Sequence, residues 1–356
     1  MLPALLASGL LALGLAEPWD PAMQEKLEKA WREGTQFPCL APECRKPTKR
    51  FERLLDSQPG VQWMDHGGYC GAWSIQRAAL VKGAWISQQQ VRNHTVPGGG
   101  HDEEILETNI DVALKNLKLK AEGFDYKHLP TPQADAYRRW IKKKLVAGHA
   151  VVWMIMLTGG HYPVYPGVPY GFYSHVEPVV GILSDHNLTD DQWYDDDYIV
   201  HYTDADVHTY FRSMKSLPDD TDFKGNCAFP HYSGYPCIYE KYGFGWAIEG
   251  FLDEREGLPL SLKVEPYDRE PDVRTGSAPE PLKGTVTVDG LAKGQRYAIY
   301  RWDSVELALN YDQPSSVHRF TASDAGEVYE DPTTLLSDGT TYYRCVEDTT
   351  DAEVVV

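Results

Sequence analysis

A glycine-rich turn that leads into an apolar helix constrains this chain more than any other feature. Residues 67–76 read GGYCGAWSIQ, and the apolar pattern predicts a helix over 70–81. Cys70 then lies in the first turn, near unsatisfied backbone N–H groups and the positive end of the helix dipole. Both favour an anion, so we expect a lowered thiol pKa and a usable nucleophile near neutral pH. The glycines would let a substrate backbone approach closely.

The competing interpretation makes Cys70 a buried core cysteine or half of a disulfide. The chain has 6 cysteines, a number that invites pairing in an exported protein. Two local disulfides are predicted from proximity in the sequence: Cys39–Cys44 and Cys227–Cys237. Cys70 and Cys345 are left over, either as two thiols or as a Cys70–Cys345 bond.

Helical patterns dominate the first half of the chain, and strand patterns follow. Helices are predicted over 22–33, 49–56, 70–81, 85–91, 102–117 and 133–147. Apolar runs predict strands over 150–157, 175–183, 198–203 and 244–251. This order predicts an α+β fold in which a helix packs on an antiparallel sheet.

Composition divides the chain into five segments. Residues 1–16 form an apolar run that ends in small residues, as a secretory signal peptide does. Residues 17–60 predict a helical N-terminal extension or a removable pro-segment, and 61–258 the main domain that carries the cysteine. A stretch rich in Pro, Glu and Asp predicts a linker over 259–281. Short strands over 282–356 predict a small all-β sandwich as an accessory domain.

The charge of the chain restricts its partners. Lys and Arg number 34 against 52 Asp and Glu, a formal net charge of -18. A chain this acidic, without a basic stripe, is not expected to bind nucleic acid or an anionic membrane. The Cys-x2-Cys and His-x3-His spacings of structural zinc sites are absent from the sequence, so we predict neither a metal nor a cofactor. The signal peptide and the sequons at Asn93 and Asn187 predict a secreted or endomembrane-lumen glycoprotein.

Four residues supply the parts that a cysteine nucleophile needs. His175 opens a predicted strand and would act as the base for Cys70 from an exposed strand edge. Asp204 closes the next strand and would orient that imidazole. Gln62 and the backbone N–H of Cys70 would stabilise the oxyanion.

This constellation resembles the papain-like cysteine peptidases. A cysteine, a histidine opening a strand, an Asp closing the next strand and a Gln ahead of the cysteine are most similar to the C39-like, bacteriocin-processing branch. Trp73 and Ser74 also fall where papain-type enzymes carry an aromatic residue and a serine. The resemblance covers 62–252 and implies the papain-like fold, with a helical part and an antiparallel sheet. It also implies Cys70 as nucleophile, His175 as base, Asp204 as orienter and Gln62 as oxyanion donor.

The sequence also offers rivals for these roles. His161 competes with His175 as the base, and Asp206 competes with Asp204 because both follow the same strand. Glu177 lies two residues after His175 on the same strand face and is a third carboxylate candidate.

The function predicted from these residues is a secreted thiol hydrolase acting on peptide or protein substrates through an acyl-enzyme on Cys70. Two alternatives stay open. The same nucleophile would serve acyl transfer to an amine or thiol, as in a transglutaminase-like enzyme. A chain with a disulfide-bonded or inert Cys70 would instead be a secreted binding protein.

Overall fold

The computed structural model describes residues 44–62, 68–95, 105, 109–125, 128–130, 132–158, 172–204, 207–216, 245–255, 257–265 and 280–349. The predicted signal peptide, the predicted helix over 22–33, three cysteines, His161 and Asp206 lie outside these residues. We number the elements in chain order within the described part.

Helices are few. They are α1 (Cys70–Leu80), α2 (Gln88–Asn93), α3 (Ile110–Asn116) and α4 (Ala134–Val146). In the part of the chain that the structure describes, no helix is long and apolar enough to span a membrane.

Strands make up most of the fold. They are β1 (Phe51–Leu54), β2 (Ala84–Ile86), β3 (Leu119–Gly123), β4 (Ala150–Thr158), β5 (Phe172–Ser184), β6 (Tyr198–Tyr202), β7 (Thr209–Ser213), β8 (Gly245–Phe251), β9 (Leu260–Glu265), β10 (Pro281–Asp289), β11 (Arg296–Trp302), β12 (Ser316–Thr321), β13 (Gly326–Glu330), β14 (Leu335–Leu336) and β15 (Thr340–Glu347).

A seven-stranded sheet organises the first part of the chain. Its strand order is β3-β8-β4-β5-β6-β7, with β1 also paired to β5, and the pairings are antiparallel. The apolar runs that predicted strands in the sequence form its centre, β4, β5 and β6, because strands buried on both faces need continuous apolar residues.

Helix α1 lies buried against this sheet. Every residue from Cys70 to Leu80 is buried, the polar Ser74, Gln76 and Arg77 included. Its two long polar side chains are accommodated by hydrogen bonds: Arg77 donates to Oε1 of Gln76 at 2.6 Å and to the carbonyl oxygen of Pro59 at 3.4 Å.

Two four-stranded sheets form the second part of the fold. One has β9 and β13 on either side of β10, which also pairs with β14, and the other has the order β12-β11-β15-β2. Strand β9 lies within the segment predicted as a linker and pairs with β10. Strand β2 follows helix α1 in the chain and pairs with β15. The second part therefore takes strands from outside 282–356, while the domain boundaries themselves stay a prediction.

Three of the helix predictions were wrong or too long. Residues 49–56 contain a strand, β1, which pairs with β5 from Phe51↔Ser184 to Leu54↔Gly181. Residues 85–91 divide into the end of β2 and the start of α2, and the described helix within 102–117 is only Ile110–Asn116. Pairing with a distant strand overrode the local helical preference in the first two segments. The coarse result is a fold of mostly antiparallel sheets with few helices.

Candidate active site

Cys70 is the first residue of α1, as the sequence predicted. Gly68 precedes it with a φ of 67°, a left-handed conformation that costs glycine little. The N-cap, Tyr69, makes no side-chain hydrogen bond to the first turn. The thiol is therefore carried on the positively polarised end of a buried helix.

Gly71 has a packing role that the sequence did not reveal. A Cβ atom at this position would lie 1.9 Å from the carbonyl oxygen of Ile105, well inside van der Waals contact. The glycines beside Cys70 were predicted to allow a close approach of substrate. At Gly71, the group that approaches closely is the protein's own backbone.

His175 lies in the interior of the seven-stranded sheet. It belongs to β5, which β4 and β6 flank, and it pairs with Ile155 across the β4 ladder. The predicted position at an exposed strand edge is wrong, because β5 starts three residues earlier and His175 is only 6 % exposed. Helix α1 is held to the same strand because Oγ of Ser74 donates to the carbonyl oxygen of Val176 at 3.0 Å.

Asp204 approaches His175 from the chain that follows β6. Strand β6 ends at Tyr202, and the register pairs Val179 with His201, so the chain beyond β6 continues toward His175. The carboxylate of Asp204 is fully buried, and its Oδ1 lies 3.6 Å from Nε2 of His175.

The three side chains form one cluster. The sulfur of Cys70, a ring nitrogen of His175 and a carboxylate oxygen of Asp204 all lie within 4.8 Å of one another. These residues come from three separate predicted elements, and the fold brings them together. A thiol, an imidazole and a carboxylate in mutual reach are the parts of a nucleophile, its base and the group that orients the base.

Gln62 lies beside Asp204. Its backbone N–H donates to the carbonyl oxygen of Asp204 at 2.8 Å, while the preceding carbonyl oxygen, of Val61, accepts from Nε2 of Gln88 at 3.1 Å. The side-chain Oε1 of Gln62 is buried and accepts no hydrogen bond from the described residues. The backbone contact fixes the residue next to the cluster, and its predicted role as oxyanion donor stays a proposal.

Glu177 is a second carboxylate near His175. Its Oε1 lies 3.9 Å from Nε2 of His175, against 3.6 Å for Asp204. Its Oε2 accepts from Nε1 of Trp153 at 3.4 Å and lies 3.0 Å from Nδ1 of His201 and 3.8 Å from a guanidinium nitrogen of Arg212. From the sequence, Glu177 was predicted only as a rival partner of His175, and Trp153, His201 and Arg212 were not predicted at all. The available signal was a His and an Arg within the apolar strands β6 and β7.

Burial controls the protonation of this site. Loss of solvent lowers the pKa of His175 to about 4, with Glu177 opposing the shift and Arg212 and His201 adding to it. Burial also lowers the pKa of His201. Burial alone would raise the pKa of Glu177, but His201 and Arg212 hold it at about 2. At neutral pH the resting site therefore has neutral imidazoles and an ionised Glu177.

Cys70 and Cys345 are thiols, so the alternative Cys70–Cys345 disulfide is excluded. Cys345 lies in β15 with no exposed surface, and burial raises its pKa to about 12. Cys44 is disulfide-bonded. Because Cys39, Cys227 and Cys237 lie outside the described residues, both predicted pairings stay predictions.

A cavity of about 350 Å³ lies away from the cluster, and Cys70, His175 and Asp204 do not line it. It opens between the C-terminal end of α1, strand β1 and strand β9, where Lys82 donates to the carbonyl oxygen of Gly148 at 2.8 Å. This cavity is therefore separate from the cluster of Cys70, His175 and Asp204.

Cys, His and Asp side chains this close together are also of the types that bind metal ions. The position of Cys70 favours the nucleophile interpretation, because a helix start stabilises a thiolate without any cation. Asp204 and Glu177 on the side of His175 likewise suit an imidazole that gains a proton during a reaction.

Comparisons with known proteins give little support beyond this geometry. No protein-family model and no curated protein matches the chain. Among solved structures, the chain is similar to the cysteine protease and lectin-like domains of Cwp84, a surface layer associated protein of Clostridium difficile. The two are 11 % identical with a TM-score of 0.29, over 84 % of this chain and 74 % of that one. A likeness that weak carries no functional argument, so the function rests on the side-chain geometry.

Proposed function

We propose that this chain is a secreted cysteine hydrolase that cleaves peptide or other amide bonds in peptide or protein substrates. The observation that carries the proposal is the approach of the Cys70 sulfur, a His175 nitrogen and an Asp204 oxygen to within 4.8 Å of one another. The main domain is proposed to be papain-like, with a nucleophile helix packed on an antiparallel sheet that carries the base, as the C39-like resemblance implies.

His175 acts first as a general base. In its neutral form the imidazole takes the proton of Cys70 while the sulfur adds to the substrate carbonyl carbon. The backbone N–H of Cys70 and the side-chain amide of Gln62 stabilise the resulting oxyanion. Asp204 holds the imidazole ring in position and stabilises the imidazolium that forms.

His175 then acts as a general acid. It returns the proton to the leaving amine as the carbon–nitrogen bond breaks, which leaves a thioester on Cys70. A water molecule gives one proton to His175 and adds to the thioester carbonyl. The carbon–sulfur bond then breaks, the carboxylic acid product leaves, and the proton returns to the sulfur.

Cysteine labelling followed by peptide mapping tests the nucleophile. Iodoacetamide at pH 6.5 is expected to alkylate Cys70 in the folded chain and to leave Cys345 unmodified, because burial holds the pKa of Cys345 at about 12. A variant with Cys70→Ala should lose turnover of a mixed peptide pool by at least about a thousandfold while keeping its thermal unfolding temperature.

Cys345→Ala is the matched control, since it removes the other described thiol. It should keep both the labelling of Cys70 and the turnover. Full turnover by the Cys70→Ala variant, on a peptide that the wild-type chain cleaves, would refute the proposed function.

A further inference from the structure

A buried group of charged side chains lies next to Cys70, His175 and Asp204 and takes no part in the mechanism described above. Its members are Glu177 on β5, His201 on β6 and Arg212 on β7, with the indole of Trp153 on β4. Glu177 and His201 have no exposed surface, and Arg212 is 7 % exposed. Charged groups are rarely buried without a role that offsets their desolvation.

This charged group keeps the negative charge of Glu177 inside the sheet. Glu177 faces Nδ1 of His201 at 3.0 Å and Arg212 at 3.8 Å, and it accepts a hydrogen bond from Trp153 at 3.4 Å. A guanidinium stays protonated at any working pH, so it supports the carboxylate whether or not His201 is charged. Glu177 is therefore an anion throughout the pH range in which an enzyme of this kind would work.

The other carboxylate oxygen of Glu177 faces the base. Its Oε1 lies 3.9 Å from Nε2 of His175, which is longer than a hydrogen bond but well within the range of strong electrostatic interaction in a buried site. In the proposed mechanism, neutral His175 becomes a buried cation each time it takes the proton of Cys70. That cation needs a negative charge close by, because burial disfavours it.

We propose that Glu177 is a positioning residue of the Cys70–His175 pair, whose fixed charge stabilises the imidazolium and so sets how readily Cys70 ionises. This inference rests on the proposed function, because it concerns the same thiol and imidazole. Asp204 remains the orienting group, and Glu177 adds a second negative charge through the strand that carries His175 itself.

The charged and titratable groups around His175 come from each element packed against it. Helix α1 contributes Cys70, strand β5 contributes Glu177, strand β6 and the chain beyond it contribute His201 and Asp204, and β7 contributes Arg212. Arg212 acts on His175 in the opposite direction to Glu177, because its positive charge disfavours the imidazolium. Substitution of these two residues should therefore shift the ionisation of Cys70 in opposite directions.

The test is the pH dependence of iodoacetamide alkylation at Cys70 in the full chain, from pH 5 to 10, with the modified site mapped. In Glu177→Gln, the rate at pH 6 to 7 is expected to fall about tenfold, as a one-unit change in proton affinity implies. Above pH 9.5 the rates should converge, since hydroxide then deprotonates the thiol without His175. Glu177→Asp, which keeps the charge, should retain most of the wild-type rate, and Arg212→Met should move the rise in rate to lower pH.

The outcomes separate the two proposals. A wild-type rate at pH 6 no greater than that of a simple thiol would refute the Cys70–His175 pair, and with it both proposals. An enhanced wild-type rate with a superimposable Glu177→Gln profile would refute the role of Glu177 alone. A shift in the same direction in Glu177→Gln and Arg212→Met would indicate structural loosening and would also refute it. Thermal unfolding checks that each variant is folded. If Glu177→Gln is not folded, the Arg212→Met variant tests the role of Glu177: a rise in alkylation rate at lower pH than in the wild-type chain supports it, and an unchanged profile refutes it.

Discussion

Ser74 and Val176 join the helix that carries Cys70 to the strand that carries His175. Oγ of Ser74 donates to the carbonyl oxygen of Val176 at 3.0 Å in a buried setting. Ser74 lies one helical turn after Cys70, and Val176 directly follows His175. This hydrogen bond therefore ties α1 to β5 directly beside the sulfur and the imidazole.

Ser74→Ala is expected to lower the free energy of unfolding by about 1–3 kcal/mol, because it leaves a buried carbonyl oxygen without its donor. It should also reduce the rate of Cys70 alkylation. Ser57→Ala is the matched control, since Oγ of Ser57 donates to the carbonyl oxygen of Arg77 at 2.7 Å near the other end of the helix. An equal effect of both variants on Cys70 alkylation would contradict a specific role for Ser74.

Gly71→Ala is expected to destabilise the chain by more than about 2 kcal/mol, although alanine favours helices. The added Cβ would lie 1.9 Å from the carbonyl oxygen of Ile105, and a backbone atom gives way less easily than a side chain. Urea unfolding measures the effect. At Gly123 an added Cβ would meet its nearest atom, Nε1 of Trp246, at 3.4 Å, so Gly123→Ala should cost much less. Comparable losses in the two variants would show that Ile105 does not pack as described.

Asp204→Ala is expected to lower turnover by at least about a hundredfold, because His175 loses the group that orients it and stabilises its charge. Asp204→Asn should retain more activity than the alanine variant, since the amide oxygen can still hold the ring. Asp185→Ala removes an exposed carboxylate, paired with Lys49, and serves as the control. Wild-type turnover in Asp204→Ala would assign the orienting role to another residue.

The buried histidine should make the fold sensitive to mild acid. The pKa of His175 is about 4 in the folded chain, and an unfolded histidine has a pKa of about 6.5. Between these values the unfolded chain binds a proton that the folded chain does not. The free energy of unfolding should therefore fall as the pH drops from about 6.5 to 4, by up to about 3 kcal/mol from this residue. Urea unfolding at pH 7, 5.5 and 4 should show a shallower slope in His175→Gln than in the wild-type chain.

Glu177 should contribute to stability in a lower pH window. Its pKa is about 2 in the folded chain, below the usual value for an unfolded glutamate, so its contribution is complete above about pH 4.3. That contribution is lost as the pH falls toward 2. Acid titration of the folded state, followed by circular dichroism, should find a smaller loss below pH 4 in Glu177→Gln. An unchanged acid titration would mean that the carboxylate is not held ionised.

Chelators are expected to leave the proposed activity intact, because the mechanism uses only the thiol, the imidazole and the carboxylates. Dialysis against EDTA, followed by measurement of both turnover and Cys70 alkylation, checks this. If turnover were lost and zinc restored it, the result would indicate that Cys70, His175 and Asp204 bind a metal ion.

Local sequence patterns predicted where helices and strands form better than they predicted which strands pair. The helix over 70–81 and the strands that begin at Ala150 and Tyr198 followed from apolar periodicity, which is a property of neighbouring residues. The strand β1 was missed, because only its pairing with β5 makes it a strand. The same holds for β2, whose partner β15 lies more than 250 residues further along the chain.

Residue type and order in the sequence were enough to nominate Cys70, His175 and Asp204, because a thiol, an imidazole and a carboxylate are suited to serve as nucleophile, base and orienter. Only the tertiary structure decided that they meet, that His175 is buried in the sheet interior and that Gly71 packs against Ile105. The tertiary structure also placed Glu177, His201 and Arg212 together from three strands. Distances between side chains on separate strands depend on register and packing, which long-range contacts set and which no local pattern encodes.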